Sequence, residues 1–171
     1  LRGRVHLDLT EATYDRIVLG KTASLFAWAC RSGARIAGAD EPIAAALGTF
    51  GAHLGVAFQL VDDLIDLTGD PHQTGKALFV DLREGKPTLP LLRALARRPG
   101  LATQVRALRE GDEGLALDVA KTITECGAID DVRKRARSES ERALSALSLV
   151  SDGAAREALI QVARDLAERV S

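Results

Sequence analysis

The stretch best suited to chemistry is an acidic segment within an apolar run, Phe58–Asp66. Wound as an α-helix at about 100° per residue, it places Gln59, Asp62, Asp63 and Asp66 within one arc of roughly 100°. Its other positions are mostly apolar, which is typical of a helix buried on most sides. Because buried carboxylates without partners are costly, this arc predicts a metal ion, a basic partner or a water-filled cavity beside it.

Two lysines follow the acidic helix on polar segments. Lys76 comes directly after Gly75, and Lys86 comes directly after Gly85 in the run DLREGKPTLP. Mg²⁺ prefers carboxylate oxygens and commonly completes its shell with water and substrate phosphate, while lysine binds phosphate as a point charge. The pattern therefore indicates a metal ion bound together with a phosphate-bearing ligand. The competing interpretation is structural, with the acids paired to arginines and lysines of neighbouring helices.

Helices are predicted to position these residues. Thr10 is expected to begin a helix that runs to about Arg35, before a turn at Gly38. The predicted apolar side of this helix is formed by Tyr14, Ile17, Val18, Leu25 and Trp28. A second helix should begin at Asp40-Glu41-Pro42 and run on into the acidic segment.

Five further helices are predicted after the second lysine segment. They span residues 88–97, 102–109, 115–124, 129–150 and a stretch capped by Ser151 or Asp152 that ends at Val170. No convincing strand follows residue 9. We therefore predict an all-α protein, with residues 1–171 forming a single domain.

Composition restricts the function classes. With 171 residues, 46% hydrophobic and 27% charged, the chain can bury one sizeable core. A net charge of −1 gives no electrostatic footprint for nucleic acid, and by inspection no apolar run reaches the roughly 18 residues of a membrane span. The two cysteines form no CxxC motif, so we expect no disulfide and a cytoplasmic setting.

The ordered segments FQLVDDLID, GK and DLREGKPTLPLL resemble the second aspartate-rich region of the trans-type polyprenyl diphosphate synthases. The resemblance implies an isoprenoid synthase-type helical bundle, of which this chain would carry the C-terminal half. It also implies prenyl transfer by the intact protein. An allylic diphosphate would lose its diphosphate with the help of Mg²⁺ and then condense with isopentenyl diphosphate.

The resemblance assigns roles to individual residues, by their match to the family's motifs. The implied metal ligands are Asp62, Asp63 and Asp66, with Asp62 and Asp66 favoured over Asp63. The implied catalytic residues are Lys21, Thr22 and Lys76. The implied substrate-binding residues are Lys21, Thr22, Gln59, Lys76 and Lys86. Without the resemblance, Lys21 and Thr22 would be read as an ordinary surface pair.

The chain also departs from the family pattern. Many members carry glycine where Phe79 stands and another acid where Val80 stands, which leaves Asp81 as the acid of this segment. The family's first aspartate-rich motif is not in the sequence, so we expect an incomplete domain that is inactive alone. Apolar helix sides left bare would favour association, and a homodimer is expected.

A different class of function competes with the enzyme. The chain could be a non-catalytic subunit or helical interaction module of a prenyl synthase complex. The acidic motif and both loop lysines argue against this reading, because a purely structural subunit does not require them.

Overall fold

The structure, a computed structural model, describes residues 9–68 and 79–169, so Lys76 lies outside the described residues. In those two ranges the chain forms helices and no strand, which confirms the predicted all-α class. The α-helices are α1 (Glu11–Val18), α2 (Ser24–Ile36), α3 (Glu41–Thr68), α4 (Val80–Glu84), α5 (Leu89–Arg97), α6 (Leu101–Arg109), α7 (Ala116–Glu125), α8 (Ala128–Ala146) and α9 (Ala154–Glu168).

Most helix ends lie within a few residues of their predicted positions. The Asp40 side chain accepts the Ile43 N–H at 3.2 Å at the start of α3, and Gly38 takes a left-handed φ of 82° after α2. The expected cap at Ser151 or Asp152 is wrong, because α9 begins after Gly153 and no side chain caps it. The end predicted for α8 is also too late, since its last residues form a 3₁₀ turn, Leu147–Leu149.

The predicted first helix is interrupted by one π-helical turn, Leu19–Ala23. The Ser24 N–H donates to the Leu19 carbonyl, five residues earlier, and the Ser24 hydroxyl donates to the Gly20 carbonyl at 2.7 Å. A π-turn holds one more residue than an α-turn, so it changes the face that the following helix presents. Lys21 and Thr22 lie inside this turn.

This extra residue shifts the buried side of the helix. Tyr14 and Val18 are buried four residues apart, whereas the next buried residue, Ala23, follows after five. The shift turns the downstream helix by about 100°, which places Leu25 and Trp28 toward solvent. Of the five residues on the predicted apolar side, Tyr14 and Val18 are buried, whereas Ile17, Leu25 and Trp28 expose between 47% and 67% of their surface.

Helix α3 is the longest helix among the described residues and a main part of the core. Phe50, Leu60 and Leu64 are fully buried along it. Contrary to the expectation from inspection, α3 is long and apolar enough to cross a membrane, with a mean hydropathy of 1.4 over its best window. We interpret it as a core helix, because 44% of that window is already buried within the protein and three aspartates lie near its end.

The chain divides into two compact units, and the division falls inside α1, α3 and α8. One unit comprises Leu1–Asp15 and Asp62–Val132, and the other comprises Arg16–Val61 and Arg133–Ser171. In the first unit, α5, α6 and α7 pack against one another, and α4 packs on α6. The expectation of a single domain stays a prediction.

In the second unit, glycines of α3 allow its backbone to touch α2 and the π-turn. A Cβ added at Gly51 would lie 2.5 Å from the Phe26 carbonyl oxygen, and one added at Gly55 would lie 2.7 Å from the Ala23 Cα. The backbones of these helical segments are therefore in close contact. The approach also brings the rings of Phe26 and Phe58 together, with centroids 5.5 Å apart.

We predict that Gly51→Ala destabilises the protein by about 1–3 kcal/mol, because the added methyl group would collide with backbone atoms. Gly33→Ala is the matched control, since Gly33 is also helical and a Cβ there meets nothing within 4 Å. That change should stabilise by roughly 0.5–1 kcal/mol through helix propensity. Urea unfolding of both variants measures the difference, and equal effects would contradict the close contact.

Candidate active site

Asp66 joins the last turn of α3 to the segment that begins at Phe79. Its carbonyl accepts the Phe79 N–H at 2.9 Å, and its Oδ1 accepts the Asp81 N–H at 3.1 Å. The Asp66 side chain thus satisfies a free N–H at the start of α4, which is the usual task of a helix cap. This long-range cap stabilises the start of the short helix α4.

Asp66 is the one described carboxylate with a buried oxygen that lacks a hydrogen-bond partner, namely Oδ2. Burial raises the pKa of Asp66, and the charge of Asp81 adds to the rise, while backbone N–H donors of α4 oppose it. A buried, unsatisfied acceptor oxygen has a strong demand for a cation or a donor. Asp66 therefore fits the role of a metal ligand through Oδ2.

Asp63 is satisfied within the protein. Its Oδ2 accepts the Tyr14 hydroxyl at 2.8 Å and the Leu89 N–H at 2.9 Å, and the residue is only 2% exposed. Asp62, by contrast, is partly exposed on the same helix. The Asp63 carboxylate is thus engaged by donors of α1 and α5, and the metal roles of the three aspartates stay predictions.

Within residues 9–68 and 79–169, no three His, Cys, Asp or Glu side chains are arranged to hold a metal ion. Mg²⁺ rarely needs such a cage, since it is usually held by one or two carboxylates, several waters and substrate phosphates. The donor set of Asp62 and Asp66 matches this chemistry, so the residues present fit a Mg²⁺ ion that arrives with a phosphate ligand.

Lys86 is held by two acids of its own segment. Its Nζ lies 2.6 Å from Asp81 Oδ1 and 2.9 Å from Glu84 Oε2, and more than half of its side chain is exposed. The hydrogen bonds that Lys86 donates to Asp81 and Glu84 raise the pKa of Lys86, so the ammonium group stays charged. An exposed, oriented cation of this kind is suited to bind an anion.

In the second unit, Thr22 and Gln59 contact each other. The Thr22 hydroxyl donates to Gln59 Oε1 at 3.1 Å, and the neighbouring Lys21 is exposed. Both Lys21 and Thr22 lie in the π-turn, and π-turns inside helices are frequent at functional sites. The sequence placed these residues in a helix but offered no signal for the irregular turn.

Two residues that contact the site were not among the candidates. Tyr14, noted in the sequence on the apolar side of its helix, donates its hydroxyl to Asp63 Oδ2. Arg109 covers Gly85 so closely that a Cβ there would lie 2.0 Å from the arginine Nε. Gly85 also has a left-handed φ of 67°, so the turn before Lys86 requires glycine.

Other acidic and basic residues are structural. Arg97 forms an ion pair with Asp131 at the start of α8. On the same helix, Glu139 is 8% exposed, and its Oε2 lies 2.7 Å from His53 Nδ1. Both cysteines are free thiols, as expected.

Comparison with known proteins agrees with the motifs. The sequence model described as polyprenyl synthetase matches residues 1–125. The chain belongs to the polyprenyl synthetase family. It is 39% identical to the octaprenyl diphosphate synthase of Escherichia coli over 165 residues, which cover 95% of this chain and 51% of that protein. It is 36% identical to the geranylgeranyl diphosphate synthase of Mycobacterium tuberculosis over 163 residues, which cover 95% and 47%.

Solved structures show that this polyprenyl synthetase chain has the isoprenoid synthase fold. The polyprenyl synthase of Caulobacter crescentus, complexed with calcium and isoprenyl diphosphate, superposes with a TM-score of 0.90 at 39% identity, covering 98% of this chain and 53% of that one. A decaprenyl diphosphate synthase from Rhodobacter capsulatus gives 0.85 at 36% identity, covering 96% and 52%. The chain thus spans about half the length of the relatives it matches.

The departure from this family's pattern at Phe79 has a structural consequence. Phe79 takes a left-handed conformation with φ 62° and ψ 24°, and it is the one non-glycine residue with positive φ in the described chain. Glycine adopts such angles without strain, whereas other residues pay about 1–2 kcal/mol. The side chain is 8% exposed, so its burial offsets the strain of the backbone.

We predict that Phe79→Gly is more stable than Phe79→Ala by roughly 1 kcal/mol, because both lose the buried ring and only glycine relieves the strained backbone. Both variants should be less stable than the wild type, since loss of a buried phenylalanine costs about 3–5 kcal/mol. Denaturant unfolding gives the ranking. An alanine variant equal to or more stable than the glycine variant would contradict the left-handed conformation.

Proposed function

We propose that the intact protein is a prenyltransferase that condenses isopentenyl diphosphate with an allylic diphosphate. The observation that carries the proposal is the end of α3, where Asp66 keeps a buried acceptor oxygen without a partner and also binds the segment that bears Lys86. Asp66 therefore offers an acceptor for a cation, and the segment bound to it carries the Lys86 ammonium as a donor for an anion. Ionisation of a diphosphate ester requires both kinds of group.

The names of the relatives support this reaction class. Octaprenyl and geranylgeranyl diphosphate synthases are transferases of prenyl groups, and the structure from Caulobacter crescentus was obtained with calcium and isoprenyl diphosphate. We propose Mg²⁺ as the metal here, bound by Asp62 and Asp66. When bound, the metal would supply positive charge to the diphosphate as it leaves.

The cationic residues of this chain are proposed to bind the diphosphate. Lys86 would act as an exposed cation whose charge is secured by two neighbouring acids. Lys21, placed in the π-turn, would donate to the leaving group, and Thr22 would orient Gln59 through their hydrogen bond. Lys76 keeps its proposed role in binding and catalysis on the sequence match alone. The proposed partners of the protein are the two diphosphate substrates and a second copy of the chain.

A second candidate function is that of one component of a heteromeric synthase. The chain is 31% identical over 170 residues to a protein of Bacillus subtilis described as heptaprenyl diphosphate synthase component 2. The two candidates differ in a simple assay. A single-component enzyme elongates an allylic primer with labelled isopentenyl diphosphate and Mg²⁺ when purified alone, whereas a component does so only after its partner is added.

We predict that Mg²⁺ binds tightly only together with a diphosphate, because nearby carboxylates and a phosphate must share its shell. Calorimetry with Mg²⁺ and a diphosphate analogue should show this dependence. The double variant Asp62→Ala, Asp66→Ala should weaken binding by more than the ~10–100-fold typical of a lost outer-shell partner. The control is Asp130→Ala, Asp131→Ala, which removes the same charge elsewhere. Equal binding by both double variants would refute the assignment.

Lys21→Ala is expected to lower kcat of the intact enzyme by about 10²-fold, as loss of a donor to a developing anion does. Thermal stability should change little, because the Lys21 side chain is exposed. Lys121→Ala provides a matched control, since Lys121 is also exposed and helical. A kcat equal to that of the control variant would mean that Lys21 is an ordinary surface lysine.

A further inference from the structure

The carboxylate of Asp63 connects three parts of the first unit. It lies on α3, it accepts the hydroxyl of Tyr14 on α1, and it accepts the N–H of Leu89 on α5. All three residues are at least 95% buried. A buried carboxylate needs such donors to remain ionised at low cost. Asp63 therefore acts as an internal anchor, whereas Asp66 of the same motif keeps one oxygen without a partner.

The bond to Leu89 replaces a missing helix cap. Leu89 is the first residue of α5, and the preceding Thr88 makes no side-chain cap bond. The first N–H groups of a helix have no carbonyl partner within the helix, and a negative charge at that end is favourable. Asp63 therefore holds the beginning of α5 in place.

Asp63 and Asp66 together bind both ends of one short segment. Asp66 accepts N–H groups from Phe79 and Asp81, and Asp63 accepts the N–H of Leu89. Because the two aspartates are three residues apart, they lie on the same side of α3. Segment 79–89 is thus attached at its beginning and at its end, and the Lys86 ammonium is carried between the two attachments.

We propose that Tyr14 is a positioning residue for the reaction, acting through Asp63 on the segment that carries Lys86; the effect on catalysis rests on the proposed function. The Tyr14 hydroxyl fixes the orientation of the Asp63 carboxylate, and the carboxylate fixes the start of α5. Asp63 is accordingly an anchor of this segment and not a metal ligand. Loss of the hydroxyl would loosen the end of the segment nearest to Lys86.

The first test is local and independent of activity. Tyr14→Phe keeps the ring and removes the hydroxyl. Amide hydrogen exchange of the intact protein should show the Leu89 N–H exchanging about tenfold faster or more in this variant, since its acceptor is less well held. The amide of Val105, buried on α6, should be unaltered. Ser140→Ala is the matched control, because it removes a buried hydroxyl that makes no hydrogen bond among the described residues.

The second test is kinetic. Tyr14→Phe should lower kcat/KM for the diphosphate substrates about tenfold, while the Mg²⁺ concentration for half-maximal rate stays the same. In a Lys86→Ala background the same change should have little further effect, because residues that act as a unit are not additive. Asp63→Asn should likewise leave the Mg²⁺ requirement unchanged, whereas Asp66→Asn should raise it.

Each outcome supports or overturns the proposal. An unchanged Leu89 exchange rate would show that Tyr14 does not act through Asp63. Fully additive losses from Tyr14→Phe and Lys86→Ala, or a raised Mg²⁺ requirement in Asp63→Asn, would overturn the positioning role. If the wild type transfers no prenyl group under any condition, the proposed function fails, while the exchange experiment still decides whether the anchor exists.

Discussion

The cost of burying carboxylates at the end of α3 is the constraint on which the site depends. Asp63 is 2% exposed and Asp66 is 9% exposed, and an ionised group at such positions must be compensated by donors or by a cation. The donors come from the backbone of segment 79–89 and from one tyrosine hydroxyl. The need to satisfy two acids thus orders a segment that would otherwise have little reason to adopt one conformation.

The two acids are satisfied to different extents, and that difference separates their tasks. The hydrogen bonds from Tyr14 and Leu89 fall on the same oxygen of Asp63 and connect α3 to α1 and α5, whereas Asp66 caps α4 with Oδ1 and keeps Oδ2 without a partner. An arrangement in which the protein has already met the cost of orienting its charged groups is preorganised for an ionic transition state. The motif DDLID therefore contains one aspartate that holds helices together, Asp63, and one that keeps an oxygen available for a ligand, Asp66.

The π-turn has a comparable double effect in the second unit. It places Lys21 and Thr22 in an irregular part of a helix, and it moves Leu25 and Trp28 out of the buried side. One additional residue in a helical turn thus influences both the candidate site and the surface.

Much of this protein could be predicted from its sequence. Helical periodicity, the acids at the start of α3 and the glycines after helices are local signals, so the helices and the acidic arc on α3 followed from neighbouring residues. The order of the motifs was enough to indicate the family. The roles of Lys21, Thr22, Gln59, Lys76 and Lys86 remain predictions, because their partner would be a substrate and not another part of the chain.

Tertiary structure alone decided how each acid is used. The donors to Asp63 are 49 and 26 residues away along the chain, and the α4 N–H that Asp66 accepts lies 15 residues away. The π-turn and the left-handed Phe79 are likewise choices that local propensity disfavours and packing imposes. Which carboxylate oxygen is left without a donor depends on contacts among distant residues, and for this physical reason the spacing of the aspartates could not reveal it.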